Sequence, residues 1–244
     1  MAHIEERQPV DLGSPTLIEG LPGVGLVGKL AADHLVEQFG MTHHASCHCE
    51  GIPQVAAYAD DERSVRPPVR IYADEARDLL VLQSDVPVSP AAAGDFAGCV
   101  TGWLVDNDVT PVYLSGIAQE KDGVPSLYGV GTGDAADLLV EHDIPAPSES
   151  GMVSGPTGAL VAEADQQGLD GLCLVVQANA NFPDPEAARV LLTEAIEPIA
   201  EIEVDTEKLV EQADRIGQAR EQLAQQMQQA QEESTRAQPL GMYQ

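Results

Sequence analysis

From residue 16 to about residue 200, short apolar runs alternate with amphipathic stretches, the pattern of an α/β domain. Thr16-Leu17-Ile18-Glu19-Gly20 predicts a first strand. After Pro22 and Gly23, the residues Val27, Leu30, Ala31, His34 and Leu35 recur at helical spacing on one face, and Gly40 is placed to end that helix. Leu79-Leu80-Val81-Leu82, Val112-Tyr113-Leu114 and Leu172-Cys173-Leu174-Val175-Val176 are unbroken apolar runs, as expected of strands covered on both faces. Further helices are predicted over 91–105, 134–141, 158–167 and 185–199, with Gly and Pro in the turns. The expected fold is a three-layer, sandwich-like α/β domain with a mostly buried sheet over 16–200, preceded by an N-terminal extension of residues 1–15.

The pattern changes after Pro198. From Glu201 onward strand signals stop and glutamine becomes common. Ile202, Leu209, Ile216, Leu223 and Ala230 recur every seven residues, with Met227 among the intervening core positions. This spacing predicts one long helix over 205–236, about 48 Å in length, within a coiled-coil segment of residues 201–238. Leu209, Ile216, Leu223 and Met227 are its candidate oligomer contacts. Gly217, which costs about 1 kcal/mol against Ala in a helix, and Arg220 at a core position leave a solvated tail as the alternative reading. Pro239 and Gly241 then break the helix and deliver a short tail, 239–244, ending in Met242-Tyr243-Gln244.

Charge narrows the class of partner. The 244 residues carry 40 Asp and Glu against 12 Lys and Arg, a formal charge of −28, while 43% hydrophobic residues suffice for a core. Nucleic acid and anionic membrane surfaces would be repelled along most of such a surface. Self-repulsion on this scale is tolerable where salt shortens the Debye length to about 3 Å, so the surface reads as adapted to a salt-rich cytoplasm, with an archaeal halophile the favoured source. Four cysteines make no dense disulfide framework, the first residues lack the apolar stretch of a signal peptide, and no apolar run reaches membrane-spanning length. A soluble, cytoplasmic protein is expected.

Gly23-Val24-Gly25-Leu26-Val27-Gly28 matches G-x-G-x-x-G between a strand and a helix, the spacing that lets backbone approach a pyrophosphate. Glu50 lies roughly where a ribose-binding acid would stand. With Lys29 the same stretch imitates a P-loop, but Leu30 occupies the position of the Mg²⁺-binding hydroxyl. Gly23, Gly25, Gly28 and Lys29 are therefore the candidate ligand loop of an alternative nucleotide- or dinucleotide-binding enzyme. The favoured reading is a tight turn with close helix–strand packing, since Pro22 breaks the fingerprint and the overall charge opposes a pyrophosphate. His43, His44, Cys47, His48 and Cys49 carry metal-compatible side chains without a second Cys/His pair elsewhere, so structural cysteines are preferred to a metal site. The stretch from Gly151 to Gly158 is a glycine-permitted loop able to face an anion. Carboxylates are so numerous that each is read as solvated.

Taken together, Ile18-Glu19-Gly20-Leu21-Pro22-Gly23-Val24-Gly25-Leu26-Val27-Gly28-Lys29-Leu30-Ala31, Ser84-Asp85, Gly151 to Gly158, Leu172 to Val176 and Pro183-Asp184-Pro185-Glu186-Ala187-Ala188 resemble the proteasome assembly chaperone family, in particular archaeal relatives of its second eukaryotic member. The resemblance implies an α/β sandwich without enzyme chemistry or cofactor, acting independently of ATP as an assembly chaperone or activator-like protein. It implies that Met242, Tyr243 and Gln244 stand at the positions of a hydrophobic–Tyr–any motif that docks between α subunits of the proteasome core particle. A homo-oligomer, with a tetramer as one form, is implied as well. Several tails held together would raise avidity by ~10²–10⁴ where the geometry permits.

Overall fold

The structure is a computed structural model and describes residues 2–58, 60, 63–119 and 123–218. Its centre is one sheet of β1 (Ile4–Glu6), β2 (Thr16–Gly20), β3 (Thr42–Cys47), β4 (Val69–Asp74), β5 (Leu79–Ser84), β6 (Thr110–Ala118), β7 (Leu127–Thr132) and β8 (Gly171–Ala178). The order across the sheet is β1-β3-β4-β5-β2-β6-β8-β7. The apolar runs form its parallel centre: Ile18 of β2 is level with Val81 of β5 and Val112 of β6, and β8 runs parallel beside β6. Antiparallel strands flank this centre, with β4, β3 and β1 on one side and β7 on the other.

Side chains alternate across the pleat, so each central strand feeds two cores. Ile18, Val81, Val112, Leu114, Leu174 and Val176 pack beneath α1 (Val27–Phe39) and α5 (Pro185–Leu191). Leu17, Leu80, Leu82, Tyr113, Cys173 and Val175 pack against α2 (Ala93–Asp106) and α4 (Gly155–Gln167). The result is a helix–sheet–helix sandwich. A short helix, α3 (Ala136–Glu141), lies behind β7, and α5 continues through a π-helical turn, Leu192–Ile196, into α6 (Glu197–Ala200).

Several boundaries follow from local chemistry. Gly40 takes a left-handed conformation (φ 57°) and closes α1 with its N–H on the Val36 and Glu37 carbonyls. Asp184 opens α5, its carboxylate accepting from the Ala187 N–H at 3.2 Å. α4 starts at Gly155, three residues before its predicted start, because Pro156 is compatible with a first helical turn. Strand β7 reads poorly in sequence since it holds two glycines. Both are required by close approach: a Cβ on Gly129 would meet Leu139 at 2.6 Å, and one on Gly131 would meet the Ala136 nitrogen at 2.8 Å. No helix among the described residues is long and apolar enough to cross a membrane.

Candidate functional site

Strand β2 is the topological switch point of the sheet. The chain leaves it towards β3, β4 and β5 on one side, whereas β6, β8 and β7 lie on the other. Crevices outside the carboxyl ends of strands at such points are where open α/β sheets bind ligands. Here the crevice is a cavity of about 830 Å³. Its rim is the turn after β2, its floor the ends of β6 and β8, and its far wall the segment leading into α4. The wall is mainly apolar, with Val24, Ile117, Tyr128, Val130 and Val161 among its residues, and Glu149 and Asp165 are its only charged residues among those described. Met152, on the outer lip, is 98% exposed.

The turn at the rim fixes the meaning of the glycine motif. Gly25 (φ 63°) and Leu26 (φ 52°) are both left-handed, a conformation that costs a non-glycine residue about 1–2 kcal/mol. A Cβ on Gly25 would meet the Ala178 Cβ at 2.9 Å, and the Gly25 carbonyl accepts the Asp184 N–H at 2.8 Å. Gly28 packs on β2 and β6, where a Cβ would come within 3.3 Å of the Glu19 carbonyl and the Leu114 side chain. Gly25 and Gly28 thus serve close packing of the first turn, as the favoured reading of the sequence has it. Gly23 alone has open space where a side chain would go.

Lys29 does not turn towards the cavity. Its ammonium pairs with Asp33 at 2.8 Å, one turn along α1, and lies 3.5 Å from Asp85. Asp85 also accepts from the wholly buried Arg70 at 2.7 Å, and Gln83 links Arg70 to Asp33. Burial works to raise the Asp85 carboxyl, but the hydrogen bond and charge of Arg70, with Lys29 and Arg66 beyond, hold it below its ordinary value. The residues of the formal P-loop are therefore divided. Gly25 and Gly28 hold the fold, and the lysine belongs to an ion network with Asp33 and Asp85. Among the described residues, a phosphate would find no lysine or arginine lining this cavity and two carboxylates on its wall.

Beneath the cavity lies Glu19, 0% exposed, which corrects the expectation that every carboxylate is solvated. Its Oε2 accepts the Leu114 N–H at 3.0 Å; its Oε1 accepts the Thr157 hydroxyl at 3.0 Å and the Leu21 N–H at 3.2 Å. One side chain thereby ties the end of β2 to β6 and to the start of α4. Burial pushes its carboxyl up to about 7, against the three donors that favour the ionised form. The sequence signal was a lone acid inside the otherwise apolar run Leu17 to Leu21.

The Cys/His group disperses. His43 bonds the Ala45 carbonyl and the Ser46 hydroxyl, His44 bonds the Gln8 carbonyl, and His48 stacks on His3. Among the described residues no three metal-capable side chains gather. Cys49 is disulfide-bonded to Cys99 of α2, and Cys47, beside it in the same core, is a free buried thiol pushed up to about 12 by burial.

The C-terminal helix begins later than expected, at residue 207, where the Asp205 carboxylate accepts the Glu207 N–H at 3.0 Å. It is described to residue 218. Its start is fixed to α1 by His34 on the Asp205 carbonyl (2.7 Å) and by Lys208 on Glu37 (2.5 Å). Ile202 and Leu209 are buried in the core beneath α1, Leu209 to 2% exposure. Leu209 thus packs inside its own chain rather than on an outward seam, because the helix enters along the body. Ile216 is half-buried. Leu223, Met227, Met242, Tyr243 and Gln244 lie outside the described residues.

Similar proteins place this fold. MJ1210, an uncharacterized protein of Methanocaldococcus jannaschii, is 29% identical over 216 residues, 86% of this chain and 82% of its own length. PbaA of Pyrococcus furiosus, described as an archaeal homolog of proteasome-assembly chaperone, has a similar structure. It superposes with a TM-score of 0.77 at 23% identity, over 95% of this chain and 96% of its own. PbaB of the same organism, described as an archaeal proteasome activator, gives 0.76 at 23% identity, over 91% and 98%. Residues 17–226 match the PAC2 family, nearly the whole chain, and the protein belongs to that family.

Proposed function

We propose that this chain is an ATP-independent assembly chaperone or activator-like protein that binds the α-ring of the proteasome core particle. The observation that supports it best is PAC2 membership together with a fold shared, over nearly full length, with proteins described as a proteasome-assembly chaperone homolog and a proteasome activator. Met242, Tyr243 and Gln244 make the contact. The terminal carboxylate pairs with a basic residue of the α-ring, and Tyr243 wedges between neighbouring subunits.

Such a tail is small and binds weakly alone. Ile216, Leu223 and Met227 hold copies of the chain together and present several tails at once, while Leu209 and Ile202 anchor the helix to each body. The site residues that an enzyme reading would use serve this role as structure: Gly25 and Gly28 lock the first turn, and Lys29 braces α1. The protein works in a salt-rich archaeal cytoplasm, where recognition rests on short-range docking because long-range attraction is screened. Binding of the full chain to purified core particle, lost on removal of residues 242–244, tests the reading.

A further inference from the structure

Basic residues are scarce in this chain, yet several of its arginines converge at one end of the sheet. A second cavity, of about 530 Å³, opens there between β3 and the loop that precedes β4. Arg7 and Arg66 line it together with His48, and no Asp or Glu does so among the described residues. Its remaining wall is largely apolar, contributed by Ile52, Val55, Val65 and Pro67 among others.

Arg66 is the telling residue. Its backbone is held by paired hydrogen bonds with Ala57, at 2.9 and 3.0 Å. Its Nε is buried and meets no hydrogen-bond partner among the described residues. That nitrogen is closed to solvent, so the terminal guanidinium nitrogens of Arg66, for which no partner stands among the described residues, are the ones left to meet a ligand. Arg7 is oriented by its Nε on the Ser46 hydroxyl at 2.7 Å, and that bond leaves its terminal nitrogens uncommitted to Ser46.

Two nearby acids have other close partners. Asp85 is tied to Arg70 and Lys29, and Glu5 faces His48 at 3.5 Å. The local field is accordingly positive: after burial itself, the charges of Arg7, Arg70 and Arg66 hold the His43 imidazolium below its ordinary value. In a molecule of formal charge −28, a cavity lined by two arginines and, among the described residues, by no carboxylate stands out locally.

We infer that this cavity binds an amphipathic carboxylate, its head on Arg66 and Arg7 and its apolar body against Ile52, Val55 and Val65. Guanidinium suits a planar carboxylate, and its charge-assisted bonds are about twice as strong as neutral ones. The apolar half of the wall disfavours a bare, strongly hydrated phosphate, which has nothing to place there. The volume falls within the usual range for small-ligand sites, roughly 300–1,000 Å³. This site is independent of the docking tail and of the switch-point cavity. The carboxylate can come from a short-chain acid or from a peptide C-terminus.

Calorimetric titration of the full-length protein at constant high KCl tests this, with hexanoate, N-acetyl-Ala-Leu and inorganic phosphate as probes. At least one of the two carboxylates is expected to bind one per chain with a Kd on the order of 1 mM, and the stronger of the two identifies the source. Phosphate is expected to bind at least about tenfold more weakly. Arg66→Gln, which removes no side-chain hydrogen bond among the described residues, should weaken carboxylate binding at least about tenfold, as should Arg7→Gln. Arg77→Gln, on a residue paired with Asp74 away from the cavity, should leave it unchanged. No carboxylate binding up to about 50 mM, unaltered binding by Arg66→Gln, or preference for phosphate would overturn the inference.

Discussion

The Thr157 hydroxyl donates to the Glu19 carboxylate at 3.0 Å, joining the first turn of α4 to the last residues of β2 across 138 positions of sequence. That bond ties together two family-like segments, the glycine turn and the loop at 151–158, on either side of the switch-point cavity. Because Glu19 is wholly buried and its carboxyl stands at about 7 against 4.5 for the ordinary group, the folded state binds its proton more tightly than the unfolded chain. Its contribution to stability is therefore fully present below about pH 4.5 and is lost as pH rises through 7, a change on the order of 3 kcal/mol. Denaturant unfolding at fixed salt across this window should show stability falling in wild type and a flatter profile in Glu19→Gln. A wild-type profile that falls no more steeply than that of Glu19→Gln would show that Glu19 is ionised in the folded chain, held by its three donors.

Replacing Gly25 by Ala forces a Cβ into a left-handed position 2.9 Å from the Ala178 Cβ. The expected loss is on the order of 2–3 kcal/mol, seen as a lower thermal midpoint. Gly23→Ala, with open space around it, should cost well under half as much. Millimolar NAD or ATP should not raise the midpoint of wild type, since any ligand of the native state must do so. A clear upward shift would restore the nucleotide-enzyme reading.

Thiol counting tests the Cys49–Cys99 bond. Unfolded without reductant, the chain should expose two reactive thiols, from Cys47 and Cys173, and after reduction four. The bond closes a loop over a sequence separation of 50, so Cys99→Ser should destabilise by about 2–4 kcal/mol. Four thiols before reduction would place the protein in its dithiol form.

How much of this was legible in sequence depends on what each residue answers to. The parallel centre of the sheet was readable because strands covered on both faces must be apolar throughout, as Leu79 to Leu82 are. Strands β3 and β4 were harder, since His44 and Arg70 are buried there through partners distant in sequence: Gln8 for the one, Gln83 and Asp85 for the other. Gly25 and Gly28 matched a ligand motif as well as the packing motif that Pro22 and the overall charge favoured. Only the positions of Ala178, Asp184 and Leu114 decide between the two. Glu19 was hidden among 40 acidic residues, although its place inside β2 carried the signal. Arg66 left no sequence signal, because its isolation is a property of the cavity around it.

The proposed function assigns anchoring and assembly to different residues of the C-terminal segment. Leu209, buried under α1, should cost about 2–5 kcal/mol on truncation to Ala, with little change in the number of chains per particle. Ile216→Ser combined with Leu223→Ser should do the reverse, lowering the mass found by sedimentation equilibrium while the thermal midpoint of the body stays within a few degrees. A fall in mass with Leu209→Ala and none with the double variant would assign the seam to the wrong face.

The proteasome reading turns on three residues at the end of the chain. Full-length protein and a form lacking Met242–Gln244 can be titrated by biolayer interferometry against immobilised core particle from a halophilic archaeon, in multimolar salt. The full chain should bind through several tails with avidity ~10²–10⁴ above that of one, and the shortened form, unchanged in fold and oligomeric mass, should lose binding. Equal affinity of the two forms, or no binding by the full-length protein, would contradict it.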